Sequence, residues 1–393
     1  MTFKRIAYKL HAWIGLITGI IVFIVCITGA IWALNIHGWI DADKLATQEI
    51  KESTLPLLMP SRMAELSADT LGIEPTYITY TKNAPARIGT YSRKNRISAL
   101  MNPYTGEILS IDKFDNDQFD FWHFIRRGHR FLWLPPQIGR PIVNYGTLAF
   151  ALVLITGLIF WFPKSGKEIK RKLWFRWKKG SNINRKIFDL HSVLGLYASF
   201  FLIAIALTGI VWGLEWWSKG IYKVTSGGRD LPAWGTIYSD TLAVKENMPP
   251  SDIATDIVFE KIIQENPLAY SVYLSFPQNE TSTINVTVYP EKNVYYNSDS
   301  YHFDRYTLKE IESEGPYSGK YADARFGDKL RRMNYDIHIG SIWRTPGRII
   351  MFFAALFGAS LPVTGFYLFF RKRKKRKRFK DCGVLNSDNK RDL

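Results

Sequence analysis

The sequence predicts a membrane protein: a four-transmembrane-helix bundle from a tandem duplication, with two extracytoplasmic α+β modules. Four segments without a charged side chain, residues 12–36, 141–163, 192–214 and 349–370, are long enough to cross a hydrocarbon core of about 30 Å. The mean hydropathy of -0.10 is too low for a chain buried in lipid throughout, so polar domains must alternate with the spans. The third observation is an internal repeat that relates the two halves of the chain.

The first and third spans begin with the same pattern. The residues Arg5, Leu10, His11, Gly15, Thr28 and Gly29 recur 180 positions later as Arg185, Leu190, His191, Gly195, Thr208 and Gly209. In both copies 17 residues separate the histidine from the threonine, which is about 25 Å along an α-helix. Each of these helices therefore carries a histidine at its membrane entry and a Thr-Gly pair near its far end.

The second span of each half is also repeated. A His-bearing turn precedes it, running from His129 to Arg140 in the first half and from His338 to Arg348 in the second. Thr156-Gly157 and Thr364-Gly365 then lie toward the inner ends of these two spans. We interpret the Thr-Gly pairs as sites of close helix packing, because small residues let helix backbones approach each other.

Basic residues indicate which loops face the cytoplasm. Residues 164–187 contain ten Lys/Arg against one acidic residue, and residues 371–393 contain eleven against three, which together account for the net charge of +17. Both blocks directly follow apolar spans, where the positive-inside rule places cytoplasmic charge. We therefore predict two cytoplasmic termini. The same explanation disfavours nucleic-acid binding, which a pI near 9.6 would otherwise suggest.

The predicted domain boundaries follow from this topology. They are 1–36 for the N-terminus and first helix, 37–140 for the first outer module and its His-bearing turn, 141–163 for the second helix, 164–190 for a basic cytoplasmic loop, 191–214 for the third helix, 215–348 for the second outer module and its His-bearing turn, 349–370 for the fourth helix and 371–393 for a basic tail. The first apolar run exceeds the roughly 7–15 residues of a signal peptide, so we predict an uncleaved anchor. Cys26 and Cys382 form no metal or disulfide pattern.

Each outer segment contains a helix-like stretch followed by stretches in which apolar and polar residues alternate, as expected of a small α+β module. In the first, we predict a helix at 61–71 and strands at 77–80, 88–91, 96–101 and 108–111, with a turn at 102–107 before the last strand. In the second, we predict a helix at 253–264, strands at 269–276, 282–289 and 293–297, and a turn at 304–309 that resembles the earlier one. The duplication thus extends to the polar parts of the chain.

The predicted topology sorts four histidines by depth. His11 and His191 enter from the cytoplasmic side, whereas His129 and His338 precede spans that begin outside. Ionisable groups at membrane depth commonly mark a pathway or a cofactor. Two neutral imidazoles that face each other across a bundle suit the axial positions of a b-type haem. One haem near each face would form an electron path across the membrane. The alternative interpretation is that these are interfacial residues, as single histidines at helix ends commonly are.

Other features narrow the choice of chemistry. The absence of carboxylates from the spans disfavours a proton-coupled transporter, and the absence of a CxxCH motif excludes covalently attached haem. His37 has no histidine at the equivalent position of the other half, where Trp217 stands, and His302 lies in the second outer module; we interpret both as structural or surface residues. His123 lies six residues before His129. The sequence leaves two roles for it, an alternative ligand to His129 or a substrate contact. With no GxGxxG fingerprint in the sequence, the electron donor must be another molecule, either a quinol or a cytoplasmic reductase.

Three groups of residues resemble a known family. They are the Leu-His-x3-Gly entries, the HRFLW…GR and HIGSIW…GR segments and the NPYTGEIL hairpin. Together they resemble the PepSY-associated transmembrane family, and within it the inner-membrane ferric siderophore reductases, also called iron-regulated membrane proteins. The sequence departs from the family pattern at Leu308, where the second module lacks the usual glycine, and at Gly128, where leucine is frequent before the outer histidine.

The resemblance implies PepSY-like modules on the outer face of a bacterial inner membrane. It also implies two haem b groups with axial ligands His11, His129, His191 and His338, and outward electron transfer to a ferric siderophore or another ferric chelate. Polar and aromatic side chains of the outer segments are candidates to bind the chelate: Tyr104, Arg126, Arg127, Arg130, Tyr301, Arg305 and Tyr335. The alternative hypothesis is a non-enzymatic anchor whose modules regulate peptidases or bind envelope partners.

Overall fold

The computed structural model describes residues 3–40, 48–51, 53–72, 74–91, 96–113, 119–162, 168–169, 172–175, 177–233, 237–243 and 250–381. The chain divides into two compact units. The first comprises Met1–Ile36, Asp120–Trp217 and Ile337–Leu393, and the second comprises His37–Phe119 and Ser218–Asp336. Cys382, the last part of the predicted basic tail and parts of the basic loop lie outside the described residues.

The elements follow one another along the chain in the order expected of a duplication. They are α1 (Phe3–Ile36), α2 (Pro60–Leu71), β1 (Tyr77–Thr81), β2 (Ala86–Tyr91), β3 (Arg96–Met101), β4 (Ile108–Lys113), α3 (Phe121–Phe131), α4 (Pro136–Trp161), α5 (Ile183–Asp189), α6 (Gly195–Gly209), α7 (Glu215–Thr225), α8 (Ser251–Glu265), β5 (Ser271–Ser275), β6 (Ile284–Tyr289), β7 (Asp299–Phe303), α9 (Phe326–Ile339) and α10 (Arg344–Asp381).

Within the described residues, four helical segments of the first unit are long and apolar enough to cross a membrane. These spans are Phe3–Ile36, Pro136–Ile159, Ile183–Trp212 and Ser341–Lys374. They correspond to the four segments predicted from hydropathy, and the protein is accordingly a membrane protein. The middle of the bundle is an apolar cluster in which Val22, Leu154, Leu202 and Leu361 are buried. Because these side chains come from all four spans, they pack the bundle around a common core.

The third span is not one regular helix. Between α5 and α6 the chain forms a single π-helical turn at Leu190–Leu194, and after α6 it forms a 3₁₀ turn at Ile210–Trp212. A π-turn inserts an extra residue into the helix, and such turns occur often at functional sites. His191 lies within this π-turn.

The second unit contains one antiparallel sheet with strand order β4-β3-β2-β1-β5-β6-β7. The two predicted modules therefore share a sheet, since β1 of the first half pairs with β5 of the second from Tyr77↔Ser275 to Thr81↔Ser271. Helices α2 and α8 supply Met63 and Phe259 to the core beneath the sheet. Asp256 accepts hydrogen bonds from the backbone and the hydroxyl of Ser61, which joins the two helices.

Two local predictions were wrong. The segment 293–297 is not a strand, because Asn293 turns the chain with φ 57° and the strand β7 begins only at Asp299. The His-bearing turns are also incorrect as predicted, because His129 and His338 lie in the last turns of helices α3 and α9. Asp120 is the N-cap of α3, because its carboxylate accepts a hydrogen bond from the His123 N–H.

The predicted turn repeat has the same geometry in both halves. The side-chain oxygens of Asn102 and Asp304 each accept hydrogen bonds from the backbone two and three residues ahead. Gly106 has φ 77°, and Leu308 has φ 56° at the equivalent position. Leucine therefore adopts a left-handed conformation there, which non-glycine residues rarely do.

Candidate functional site

The structure brings the four repeat-related histidines together as two pairs within the first unit. The ring centres of His11 and His191 are 6.2 Å apart, and those of His129 and His338 are 6.5 Å apart. We call them the inner pair and the outer pair. This is the pairing by depth that the sequence repeat predicts. His11 lies in α1 and His191 in the π-turn, whereas the outer pair comes from the ends of α3 and α9.

Each ring of the inner pair is oriented through its Nδ1 atom. His11 Nδ1 lies 2.9 Å from the Val153 carbonyl oxygen of α4. His191 Nδ1 lies 2.8 Å from the Thr364 hydroxyl of α10. That hydroxyl donates its only proton to the carbonyls of Ser360 or Leu361, so its oxygen accepts from His191. Both rings therefore carry their proton on Nδ1, and Nε2 has the lone pair.

The outer pair is held in the same way. His129 Nδ1 lies 2.9 Å from the Val25 carbonyl oxygen of α1. His338 Nδ1 lies 3.0 Å from the Ile205 carbonyl oxygen and 3.1 Å from the Thr208 hydroxyl, both of α6. Because carbonyl oxygens only accept hydrogen bonds, both Nδ1 atoms are donors. A second hydrogen-bonding group that fixes the tautomer in this manner is the usual support of a metal-binding histidine.

The surroundings of the outer pair also favour the neutral imidazole. These two rings lie on helices outside the four spans. Burial lowers the pKa of His129, and burial lowers the pKa of His338 to about 4. The indole rings of Trp32 and Trp212 contact His129 and His338 edge-on, with ring centres 5.7 and 5.2 Å apart. These tryptophans are repeat-equivalent, since each lies three residues after the glycine of a Thr-Gly pair.

The spacing of each pair fits two axial ligands of one metal ion. With imidazole–metal bonds of about 2.0 Å, two imidazoles on opposite sides of an ion have ring centres about 6 Å apart. Among the described residues, no group of three or more His, Cys, Asp or Glu is placed to hold a metal ion. Each pair thus offers two protein ligands, which fits a cofactor that supplies the remaining ligands itself.

His123 is not a member of either pair. Its Nδ1 lies 3.0 Å from Arg126 Nη2, on the same helix α3. His129, one and a half turns further along α3, faces His338 instead. Of the two histidines left open by the sequence, His129 is therefore the one that the structure pairs with another histidine. His123 and Arg126 form a polar contact on α3.

The predicted chelate-binding residues contact neighbouring protein groups and do not form paired sites like those of the histidines. Arg126 and Arg127 are half-buried on α3, and Arg130 is exposed with its guanidinium 5.3 Å from the centre of the Phe131 ring. In the second unit, Tyr335 packs against Tyr295 with ring centres 5.2 Å apart. The other candidates of that unit also have local contacts: Tyr301 is buried in the sheet core, Arg305 donates to the Asn279 carbonyl, and Tyr104 lies in the first repeated turn.

The remaining two histidines have local partners. His37 lies against Trp39 with ring centres 5.0 Å apart. His302, on β7, is hydrogen bonded through Nδ1 to the side-chain oxygen of Asn285 on β6. Neither contact involves another histidine, so both fit the structural interpretation made from the sequence.

These features define an integral membrane protein with a duplicated plan: four spans with two histidine pairs, and an antiparallel sheet to which both halves of the chain contribute. A family model described as the PepSY-associated TM region matches residues 8–372. The chain therefore belongs to the PepSY-associated transmembrane family, as its sequence motifs predicted. A search of curated proteins found no match.

Proposed function

We propose that the protein binds two b-type haems, one at each histidine pair, and conducts electrons across a membrane to a ferric chelate. The observation that carries this proposal is the ring spacing of 6.2 Å in one pair and 6.5 Å in the other. Two matched pairs with ordered Nδ1 atoms are difficult to explain by interfacial histidines alone. A haem bound at each pair would supply reversible one-electron redox chemistry.

The residues favour haem over a bare metal ion. A structural zinc ion takes four protein ligands, and hard cations prefer oxygen ligands. Each pair instead offers two neutral imidazoles among apolar side chains. Haem iron accepts two axial ligands, and a flat apolar macrocycle suits the interior of a helical bundle. The absence of CxxCH from the sequence makes the proposed haems non-covalent, of the b type.

The protein's own contribution is to orient the ligands and exclude water. The Nδ1 hydrogen bonds to Val153, Thr364, Val25 and Ile205 fix four ring orientations before any cofactor binds. In the first and third spans, Val22 and Leu202 of the apolar cluster lie between the inner histidine and the Thr-Gly pair that contacts an outer one. Such a layer resists the passage of water and ions, and the 17-residue spacing separates the two sites by about 25 Å along these helices.

The charge distribution supports an orientation in the membrane. We propose the bacterial plasma membrane, with the basic loop and tail in the cytoplasm and the second unit outside. The electron donor is then a quinol in the bilayer or a cytoplasmic reductase. The acceptor is a ferric siderophore or related chelate on the outer face, which gains one electron per iron and becomes a more weakly held ferrous complex.

The outer pair also lies beside a cluster of positive charge. Helix α3 carries Arg126, Arg127 and Arg130 within one and a half turns of His129. Guanidinium groups bind carboxylate and other anionic oxygens strongly. An anionic chelate is therefore the substrate class that this helix suits best.

Purification of the full-length protein followed by pyridine-haemochrome analysis tests the cofactor. We expect about two haems per chain and a dithionite-reduced spectrum typical of b-type haem. His302→Ala is the matched histidine control, because the His302 side chain is hydrogen bonded to Asn285 in the second unit, and this variant should retain both haems. A folded wild-type protein without haem would contradict the proposal and favour a non-enzymatic anchor.

The acceptor is tested separately. Dithionite-reduced protein, freed of excess reductant under anaerobic conditions, is mixed with ferric siderophores in the presence of ferrozine. We expect reoxidation of the haem spectrum with an equal number of ferrous ions trapped. If ferric chelates leave the reduced spectrum unchanged, the electron path stands and the iron assignment fails.

A further inference from the structure

Each of the four Thr-Gly pairs in the spans lies against one histidine ring. The contacts join Gly157 to His11, Gly365 to His191, Gly29 to His129 and Gly209 to His338. A Cβ atom added at these glycines would lie 3.1, 3.3, 2.9 and 3.0 Å, respectively, from Cε1 of the ring. Real Cβ atoms rarely approach so closely, so a methyl group at any of the four positions would move the ring.

The glycines also expose the carbonyl groups that orient the rings. Val25, Val153 and Ile205 each precede the corresponding glycine by four residues, so carbonyl and glycine share one face of the helix. A side chain at the glycine would project over that carbonyl and obstruct the imidazole. The threonine before each glycine donates back to the carbonyls three and four residues earlier.

Two of the threonines contact a ring directly. Thr364 Oγ1 lies 2.8 Å from His191 Nδ1, and Thr208 Oγ1 lies 3.1 Å from His338 Nδ1. Each hydroxyl has already donated its proton to the helix, Thr208 to the Ala204 carbonyl at 2.6 Å. Both therefore act as acceptors from the ring and stabilise the tautomer that leaves Nε2 unprotonated.

We propose that each Thr-Gly pair is the positioning element of one histidine: the glycine admits the ring at all four sites, and Thr364 and Thr208 also support the Nδ1–H tautomer of His191 and His338. This inference rests on the proposed function only for the identity of the group that the Nε2 atoms bind, since the ring contacts themselves are observed in the structure. The contacts run crosswise: α1 contributes His11 to the inner pair and Thr28-Gly29 to the outer pair. The 17-residue spacing in the first and third spans thus sets the distance between the two sites.

A tightly packed glycine of the same helix provides the control. A Cβ atom at Gly358 of α10 would lie 2.9 Å from Leu202 Cδ2 and 3.0 Å from Cys26 Sγ. Gly358→Ala therefore imposes at least as much crowding as Gly365→Ala, but against aliphatic and sulfur atoms instead of a histidine. A comparison of the two variants separates ring positioning from general helix packing.

The first experiment measures haem content and the resolved redox titration of full-length variants. Gly365→Ala should shift or weaken the inner component alone, and Gly209→Ala the outer component alone, while Gly358→Ala should resemble the wild type. The inference fails if Gly358→Ala changes the spectrum as much as Gly365→Ala. It also fails if Gly365→Ala and Gly209→Ala affect the same component.

The second experiment compares two threonines at one site. Thr208→Val removes one of the two hydrogen bonds of His338 Nδ1 and leaves the one to the Ile205 carbonyl, whereas Thr28→Val leaves the bond from His129 to the Val25 carbonyl in place. Loss of such a supporting bond typically weakens binding at the ligand by about 10–100-fold. We expect Thr208→Val to weaken retention of the outer haem and raise its midpoint potential, Thr208→Ser to restore both, and Thr28→Val to have the smaller effect. Equal effects of the two valine variants, or no rescue by serine, would overturn the assignment.

A haem-free measurement distinguishes this inference from the proposed function. Full-length protein with ¹⁵N-labelled histidine, prepared without haem in lipid nanodiscs, reports the tautomer of each ring by its nitrogen chemical shifts. The four paired histidines should be protonated on Nδ1, and Thr364→Val or Gly365→Leu should change the signal of His191. If wild-type protein never binds haem but these signals behave as expected, only the proposed function fails. If the four rings are protonated on Nε2, the positioning inference is wrong.

Discussion

The inner and outer histidine pairs use the same chemistry but are carried by different parts of the fold. His11 and His191 lie within membrane spans, so their backbone is fixed by the bundle itself. His129 and His338 lie at the ends of the short helices α3 and α9, before turns in which Leu132 and Gly340 have positive φ. In the proposed function the inner pair therefore serves only to retain a cofactor, whereas one helix of the outer pair, α3, also carries Arg126, Arg127 and Arg130.

The comparison predicts that substituting a histidine of one pair removes the haem of that pair and leaves the haem of the other. His11→Ala and His191→Ala should each remove the same spectral component, and His129→Ala and His338→Ala should each remove the other. Haem content should fall from about two per chain to about one in all four variants, since one remaining imidazole holds haem poorly. If His11→Ala and His338→Ala removed the same component, the pairing would be wrong. Retention of both haems by His129→Ala would contradict its assignment as a ligand.

The roles of the two pairs should also differ toward an outside acceptor. Dithionite-reduced His11→Ala protein keeps the outer pair, so it should still release ferrous iron from a ferric chelate at nearly the wild-type rate. His129→Ala protein should release little, because its intact pair lies on the far side of the apolar layer. Ferrozine trapping under anaerobic conditions measures both. A His129→Ala protein as fast as the wild type would place the acceptor at the inner face.

The differences between the pairs show how far sequence alone could go. Hydropathy and the repeat predicted the four spans and the grouping of four histidines into two pairs, because these depend on local composition and spacing. The pairing of β1 with β5 joins segments about 190 residues apart, and no local pattern encodes such a register. The π-turn at His191 also has no distinctive composition.

The two departures from the family pattern became interpretable only with side-chain contacts. A Cβ atom at Gly128 would lie 2.4 Å from the Trp133 ring, so glycine is required where the chain reverses after α3. Leu308 packs partly against the sheet core, which offsets the strain of its positive φ. Likewise, the sequence predicted only helix packing for the Thr-Gly pairs, since the residue that each one contacts lies on another helix.

The tryptophans beside the outer pair should tune that site alone. Removing the indole in Trp32→Leu or Trp212→Leu admits water near an outer ring, which stabilises the oxidised, more highly charged state. An aromatic contact contributes about 0.5–1.5 kcal/mol. A relative stabilisation of the oxidised state by that amount lowers a one-electron midpoint potential by roughly 20–60 mV. Redox titration followed in the visible spectrum measures the shift. Trp32→Phe keeps an aromatic edge and should lie closer to the wild type, while a shift of the inner component would contradict the contact.

The smallest expected difference concerns the angle between the two imidazole planes of each pair. The planes are inclined by 84° in the inner pair and by 61° in the outer pair. In ferric haem with two imidazole ligands, nearly perpendicular ligand planes bring two iron orbitals close in energy and make the low-spin EPR signal strongly anisotropic. We expect the component that remains in His129→Ala to have a larger maximum g value than the component that remains in His11→Ala. Low-temperature EPR of the two oxidised variants measures this directly, and the reverse order would show that binding of the cofactor reorients the rings.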